Sequence, residues 1–209
     1  MIIYFFRHAS AGQKKPNPKK DEKRPLDDVG VSQSAEMGRV LSAMQASVDA
    51  IISSPLKRAT QTAALVANEI GYEGKLHIEN ALRPEAKYEQ FREMLRRYSK
   101  QEAILLVGHN PNFSRFLGNL IADNGGRAHV DLKKGAVARV ESEQKKMVLQ
   151  WILTPRLSRA AVEAGVNEAA PAPPEALHEN GGDEMSADLE REGEATEGRW
   201  SMRSRVRRR

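Results

Sequence analysis

The chain opens with an apolar run, Met1–Phe6, and this run leads directly into Arg7 and His8. Two later apolar runs, Ile51–Ser53 and Ala103–Val107, also lead into reactive side chains. Short continuous apolar runs of this kind are typical of strands that are buried on both faces of a parallel sheet. In an open α/β sheet, ligands bind in the crevice outside the carboxyl ends of the strands. The pattern therefore predicts an α/β domain with its chemistry at one sheet edge.

Four side chains are expected to converge at that edge. Arg58 follows the second apolar run and His109 follows the third, as Arg7 and His8 follow the first. An arginine offers a planar fork that matches phosphate oxygens, and a neutral histidine can attack phosphorus as a covalent nucleophile. The sequence therefore predicts a site for a phosphoryl group.

The same residues belong to four short motifs that resemble the histidine phosphatase superfamily. The motifs are Arg7-His8-Ala9-Ser10-Ala11, Arg24-Pro25-Leu26 followed by Gly30, Ser53-Ser54-Pro55 with Arg58-Ala59 and Gln61-Thr62, and Val107-Gly108-His109-Asn110-Pro111. Within the superfamily the chain is most similar to the SixA-type phosphohistidine phosphatases, from about Met1 to Arg156. The resemblance implies a three-layer α/β/α sandwich with a mostly parallel central sheet, the phosphoglycerate mutase-like fold. It also implies a phosphatase that needs no cofactor.

Catalytic roles follow for the four converging residues. His8 is expected to be the nucleophile, with its second ring nitrogen held by a backbone carbonyl that fixes the tautomer. Arg7 and Arg58 are expected to hold the non-bridging phosphoryl oxygens and to stabilise the transition state. His109 is interpreted as a further donor to these oxygens.

Four other residues are candidates for substrate binding or acid catalysis. Ser10 and Asn110 could each donate a hydrogen bond, or could serve as turn and capping residues. Arg24 matches the family's Arg-Pro-Leu element near the pocket mouth, although it could also be one more solvated charge. The larger family members place a glutamate after the third strand as general acid, and Glu85 is a weak candidate for that position.

Two departures from the family pattern bear on the substrate. Ala9 stands where many members have glycine, as SixA-type members often do. A phosphoramidate leaving group, such as the imidazole of phosphohistidine, needs less help from an acid than an alkoxide does. The absence of a clear general acid therefore favours P–N substrates.

Composition excludes several classes of mechanism and location. The chain has no cysteine, which excludes disulfides and a cysteine-thiolate mechanism and is typical of a reducing cytoplasm. Its five histidines are scattered without metal-ligand spacing, so we expect no metal ion. No run approaches the roughly 20 apolar residues of a membrane span, and the opening strand leaves no room for a cleavable leader. We therefore expect a cytoplasmic protein.

The net charge of +5 divides unevenly along the chain. Residues 1–156 hold 25 Lys/Arg against 17 Asp/Glu, residues 157–198 hold 2 against 11, and residues 199–209 hold 6 Arg and no acid. We expect a catalytic domain over residues 1–156 and a disordered acidic tail over 157–209 that ends in an arginine-rich tip. Short helices remain possible in the tail, one of them around Leu157–Val166. Removing Val166–Arg209 should leave fold and activity largely intact.

The elements alternate as a doubly wound domain requires. Asp27 or Asp28 is expected to cap the first helix, Ser54-Pro55 to begin the second and Asn110-Pro111 to begin the last. Gly12–Leu26 is expected to be a loop. The remaining strands are expected at Val48–Ser53, Lys75–Ile78 and a closing hairpin of Ala136–Glu141 with Met147–Leu153.

Three functions remain open. The first is a phosphatase for phosphohistidine in a protein such as a phosphorelay domain. The second is the same chemistry on a small phosphomonoester or phosphoanhydride. The third is a binding module for polyanions, such as nucleic acid, polyphosphate or an acidic membrane surface, that uses the basic domain and the tip at Arg199–Arg209. Within the phosphatase interpretation, the tip is expected to bind an acidic protein or an anionic surface. Nucleic acid is not expected, because no aromatic residues interleave with the basic ones for base stacking.

Overall fold

The computed structural model describes residues 1–122, 126–144 and 146–167, with Val166 and Asn167 described in their backbone only. The strands are β1 (Ile2–Arg7), β2 (Ala50–Ser53), β3 (Leu76–Ile78), β4 (Ala103–Gly108), β5 (Val137–Glu143) and β6 (Lys146–Leu153). The helices are α1 (Pro18–Glu22), α2 (Asp28–Ala43), α3 (Lys57–Glu69), α4 (Tyr88–Arg97), α5 (Asn112–Ile121) and α6 (Pro155–Asn167), with one 3₁₀ turn at Asn80–Leu82.

The strands form one sheet in the order β3-β2-β4-β1-β5-β6. The first four in this order are parallel, while β5 pairs antiparallel with β1 and forms the predicted closing hairpin with β6. All six residues of β4 are buried, as expected for a central strand covered on both faces. The predicted α/β fold with a mostly parallel sheet is confirmed.

Alternate residues of β1 supply two separate cores. Ile3 and Phe5 belong to the core that α4 and α5 cover, whereas Tyr4 and Phe6 belong to the core that α2 and α3 cover. Successive side chains of a strand point to opposite faces, so a strand with no polar residue requires helices on both sides. The sheet is therefore the middle of three layers, and its carboxyl edge is left for the site.

Two helix starts differ from the sequence prediction. Helix α3 begins at Lys57 rather than at Ser54-Pro55, and α5 begins at Asn112 rather than at Pro111. By contrast, Asp27 caps α2 as expected, since its carboxylate accepts the Gly30 amide at 2.7 Å. The shift at Ser54 matters for the site, because it frees the Ser54 hydroxyl for another partner.

Two further helices extend the prediction. Helix α1 lies within Gly12–Leu26, which was expected to be a loop, and the Asn17 side chain caps it by accepting the Lys20 amide at 3.2 Å. Helix α6 covers the short helix that was considered possible from Leu157 onward.

The boundary predicted at residue 156 falls inside α6. This helix packs on α2, where Ser158 is buried and Arg159 pairs with Glu36 at 2.7 Å. The compact unit accordingly runs over Met1–Ala169. Residues 168–209, which make up the rest of the predicted acidic tail and its arginine tip, lie outside the described residues. Within the described part of the chain, no helix is long and apolar enough to cross a membrane.

Candidate active site

The four expected site residues lie together at the carboxyl edge of the sheet. Arg7 is the last residue of β1 and His8 follows it, Arg58 lies in the first turn of α3, and His109 follows β4. The ring centroids of His8 and His109 are 4.8 Å apart. All four side chains line one cleft of about 510 Å³. The fold thus brings together residues that are a hundred positions apart in the chain.

The His8 imidazole is held as a neutral ring with a defined tautomer. Its Nδ1 donates to the Ala9 carbonyl at 2.7 Å, as expected, which leaves the lone pair on Nε2. The side chain is buried, and burial together with the charges of Arg58 and Arg7 lowers the pKa of His8 to about 3. A neutral imidazole with a free Nε2 has the form that a nucleophile requires.

Arg7 and Arg58 are each anchored by one nitrogen. The Nη1 of Arg7 donates to the Leu132 carbonyl at 2.7 Å, and the Nη1 of Arg58 donates to the Asp21 carbonyl at 2.9 Å. The Nε of each guanidinium is buried without a partner among the described residues. Each arginine is therefore fixed at one end while its other edge is available for an oxyanion.

His109 is oriented by a residue that the sequence analysis assigned to a helix cap. Its Nε2 lies 2.8 Å from the Ser54 hydroxyl, and its Nδ1 is buried without a partner among the described residues. Burial, the proximity of the His8 ring and the charges of Arg58 and Arg7 lower the pKa of His109 well below its usual value. The position of Ser54 directly after β2, at the same sheet edge as His8, is the sequence signal that could have identified it.

The unpartnered atoms indicate where a ligand would bind. Four buried side-chain nitrogen or oxygen atoms of the described residues lack a hydrogen-bond partner, and three of them are Arg7 Nε, Arg58 Nε and His109 Nδ1. Buried polar atoms in folded proteins are almost always paired, so three orphans in one cleft call for an explanation. All three are nitrogens that can donate, and together they suit an anion with several oxygens.

Asp21 is a functional candidate that the sequence analysis missed. Its carboxylate lies 2.9 Å from Arg24 Nε and 3.3 Å from Arg58 Nη1. Burial raises the pKa of Asp21, but a hydrogen bond from the Lys15 amide and the two arginines lower it overall, so the group is ionised. Asp21 therefore sets the positions of both guanidiniums.

Arg24 lies in the cleft, as its motif indicates. Besides its bond to Asp21, its Nη1 donates to the carbonyls of Ala11 and Gly12. It thus ties the loop after His8 to helix α1 at the mouth of the cleft.

Ser10 has a structural role instead of a place in the cleft. Its hydroxyl donates to Asp27 at 2.8 Å, and the same carboxylate accepts the amides of Gly12 and Gly30. Asp27 thereby joins the loop after His8 to the start of α2. Gly30 permits this close approach, since a Cβ there would lie 1.9 Å from the Ser10 carbonyl oxygen.

Asn110 lines the cleft, but both ends of its carboxamide are already used. Its Nδ2 donates to the Leu132 carbonyl at 2.9 Å, and its Oδ1 accepts the amide and hydroxyl of Ser114. The structure therefore gives Asn110 a structural role, in which it joins Ser114 in the first turn of α5 to the segment at Leu132.

Glu85 reaches the cleft but is tied to a cation. Arg83 Nε donates to its carboxylate at 2.6 Å, and the Glu85 side chain is 66% exposed. Burial raises the pKa of Glu85, but the Arg83 hydrogen bond and charge lower it overall. An acid that is held in its ionised form is poorly suited to protonate a leaving group.

Thr62 links the nucleophile's loop to the helix of Arg58. Its hydroxyl accepts the Ala9 amide at 3.2 Å and donates to the Arg58 carbonyl at 2.8 Å. Thr62 is fully buried. Because the Ala9 carbonyl holds His8, this bond bears on the orientation of the imidazole.

The described residues contain no group of three or more His, Cys, Asp or Glu side chains that could hold a metal ion. The cleft offers fixed arginines and imidazoles, which can stabilise the charge of a bound anion.

Comparison with known proteins gives a consistent result. Residues 3–102 match the histidine phosphatase superfamily (branch 1). An uncharacterized protein of Picosynechococcus sp. (strain ATCC 27264 / PCC 7002 / PR-6) is 29% identical over 145 residues, which are 68% of this chain and 86% of that protein.

Solved structures share the fold. The protein histidine phosphatase SixA complexed with tungstate has a TM-score of 0.67 at 20% identity, covering 75% of this chain and 99% of SixA. The alpha-ribazole phosphatase from Shigella flexneri has a TM-score of 0.59 at 18% identity, covering 74% of this chain and 97% of that one. Residues 3–102 are thus similar to the histidine phosphatase superfamily, and the fold of the chain is that of SixA.

Proposed function

We propose that this phosphatase hydrolyses phosphohistidine in a protein substrate, with His8 as the covalent nucleophile and without a metal ion. The match of residues 3–102 to the histidine phosphatase superfamily supports phosphatase activity on a phosphorylated substrate. The observation that supports the proposal best is the neutral His8, whose Nδ1 is bonded to the Ala9 carbonyl and whose Nε2 is free.

In the first step, the lone pair on His8 Nε2 attacks phosphorus. The bond from phosphorus to the leaving nitrogen breaks, and its electron pair and a proton from water restore the imidazole of the substrate. The Nδ1–H bond to Ala9 stabilises the positive charge that develops on the His8 ring. In the second step, water attacks the phosphoenzyme, the P–Nε2 bond breaks and inorganic phosphate leaves.

The three unpartnered donors supply the electrostatic stabilisation. The Nε edges of Arg7 and Arg58 and the Nδ1–H of His109 would hold the non-bridging oxygens through both steps. For His109 this requires that the Ser54 hydroxyl donates to Nε2, so that the proton lies on Nδ1. Because these groups are fixed before the substrate arrives, they need no reorganisation as charge develops.

The way in which the leaving group would be protonated favours a substrate with a P–N bond over one with a P–O bond. Glu85, the one acid considered for protonation, is held ionised by Arg83. An alkoxide leaving from an ester needs an acid more than imidazole does. The carboxylates that line the cleft among the described residues all pair with arginines, so the cleft is better suited to a phosphoramidate.

The test is a comparison of kcat/KM for a phosphohistidine protein and for p-nitrophenyl phosphate, each with and without EDTA. We expect the phosphohistidine protein to be at least about 100-fold better, and EDTA to have no effect. His8→Ala is the matched control and should abolish both activities. A higher kcat/KM for the ester would show that small phosphomonoesters are the substrate class instead.

A further inference from the structure

The mouth of the cleft carries cations that the proposed chemistry does not use. Seven Lys or Arg and three Asp or Glu line the cleft. The carboxylates all pair with arginines, in the pairs Asp21–Arg24, Asp21–Arg58, Glu22–Arg83 and Glu85–Arg83. Lys14, Lys15 and Lys134, here called the lysine rim, are exposed and make no ion pair within 4.0 Å with any described carboxylate.

The rim is built by two separate segments of the chain. Lys14 and Lys15 lie between β1 and α1, and Lys134 lies between α5 and β5. The three ammonium groups thus border one opening, although Lys134 comes from a different segment of the chain than the adjacent Lys14 and Lys15. Arg7, Arg58 and His109 lie buried or half-buried in the same cleft, so the rim is the outer part of one positively charged site.

The lysines of the rim and the arginines inside the cleft are suited to different roles. Arginine forks suit the bidentate recognition of a phosphoryl group, whereas lysine is a flexible and strongly hydrated point charge. Exposed charges of this kind raise the association rate and orient a charged partner, and they contribute less to its binding affinity. The rim is therefore suited to carboxylates that lie around the phosphoryl group.

The lining of the cleft favours a protein partner over a small polyanion. Small-molecule sites are mostly apolar and rich in aromatic side chains. Among the residues that the structure describes, no Phe, Tyr or Trp lines the cleft, and Leu56 and three prolines are its main apolar residues. The site offers little surface against which the body of a small ligand could pack.

We propose that the lysine rim is a docking surface for acidic side chains that flank the phosphohistidine of a protein substrate. This proposal rests on the proposed function and specifies the kind of partner. The rim holds the acidic surface around the modified histidine while His8 and the arginines act on the phosphoryl group alone.

The experiment uses three synthetic phosphohistidine peptides that differ only in whether the flanking residues are Glu, Gln or Lys. The full-length protein is compared with a Lys14→Glu/Lys134→Glu variant. Lys15 is left intact because its amide holds Asp21. The matched control is Lys75→Glu/Lys100→Glu, which changes the net charge equally at exposed positions that do not line the cleft.

Wild type should hydrolyse the Glu peptide with a kcat/KM roughly 10-fold above that of the Gln peptide at low salt, and the Lys peptide should be poorest. The order should reverse in Lys14→Glu/Lys134→Glu and stay as in wild type in the control variant. The preference should shrink at about 0.5 M KCl, because exposed charges are screened.

Equal rates for all three peptides in wild type would show that the rim proposal alone is wrong. A reversal in the control variant would overturn it as well, because net charge and not the rim would then be responsible. If wild type hydrolyses none of the peptides but does hydrolyse p-nitrophenyl phosphate, the proposed function fails and the rim proposal with it.

Discussion

Replacing Thr62 with valine tests whether the loop that carries the nucleophile is fixed from helix α3. The substitution keeps the branched shape and removes the hydroxyl that accepts the Ala9 amide at 3.2 Å. Ala9 is fully buried, so its N–H would be left without a partner. An unpaired buried amide of this kind costs about 1–3 kcal/mol, and we expect the free energy of unfolding to fall by that amount.

The same change should reduce turnover. Ala9 is held by Thr62 through its amide and holds His8 through its carbonyl. Displacement of the imidazole by part of an ångström slows the attack of Nε2 on phosphorus. We therefore expect kcat to fall by roughly 10-fold and KM to change less. Thr62→Ser retains the hydroxyl and should recover most of the kcat, although it loses the packing of one methyl group.

Thr60→Val is the matched control. Its hydroxyl donates to the Lys57 carbonyl at 2.9 Å on the same helix but receives no bond from the catalytic loop. We expect its unfolding free energy to stay within about 0.5 kcal/mol of wild type in urea titrations. The reasoning is refuted if Thr62→Val matches Thr60→Val in both unfolding free energy and kcat.

Arg58→Lys should lose at least ~100-fold in kcat/KM, because lysine cannot form the bidentate fork, and wild-type kinetics would show that Arg58 does not contact the phosphoryl group. Stability should depend on His8 and His109, whose pKa values are lowered in the folded state from about 6.5 in the unfolded state. Below pH 6.5 the unfolded chain binds protons that the folded chain does not, so the unfolding free energy should be highest above pH 6.5 and fall towards pH 3. Urea titrations of His8→Gln should give a shallower slope, and an unchanged slope would contradict the assignment. Turnover should survive EDTA and be inhibited competitively by vanadate or inorganic phosphate, whereas loss on chelation with recovery in Mg²⁺ would indicate a metal-assisted mechanism.

The strand ends could be predicted because buried parallel strands leave a strong signal in the sequence. β1 and β4 are continuous apolar runs, and the residues that follow them must meet at one edge of the sheet. The Asp27 cap was also predictable, since an acidic residue before an amphipathic run marks a helix start. These local signals sufficed to place Arg7, His8 and His109.

The rest of the site depends on contacts between distant segments. Helix α1 has no apolar face, and Asp21 is buried through its ion pairs with Arg24 and Arg58. Its Asn17 cap with Pro18 in the first turn was nevertheless a readable start signal. Ser54 has the sequence context of a cap, and only the position of His109 across the sheet gives it a different partner.

Helix α6, at the other end of the described chain, is a second element whose packing could not be predicted from local sequence. Its larger apolar residues Leu157 and Val162 are exposed and form no apolar face that packs on the sheet, and the predicted boundary at residue 156 rested on that weak pattern. The helix is held by contacts with α2, including the Arg159–Glu36 pair at 2.7 Å. A surface pair of this kind cannot be read from the periodicity of either helix alone.

The most direct test of the account is to trap the phosphoenzyme. Wild-type protein mixed with a phosphohistidine substrate and quenched in alkali should carry one phosphoryl group that is stable to alkali and labile to acid, as a phosphorylated histidine is. Peptide mapping by mass spectrometry should place it on His8, and His8→Ala should carry none. A phosphoryl group on another residue, or full turnover by His8→Ala, would contradict the mechanism.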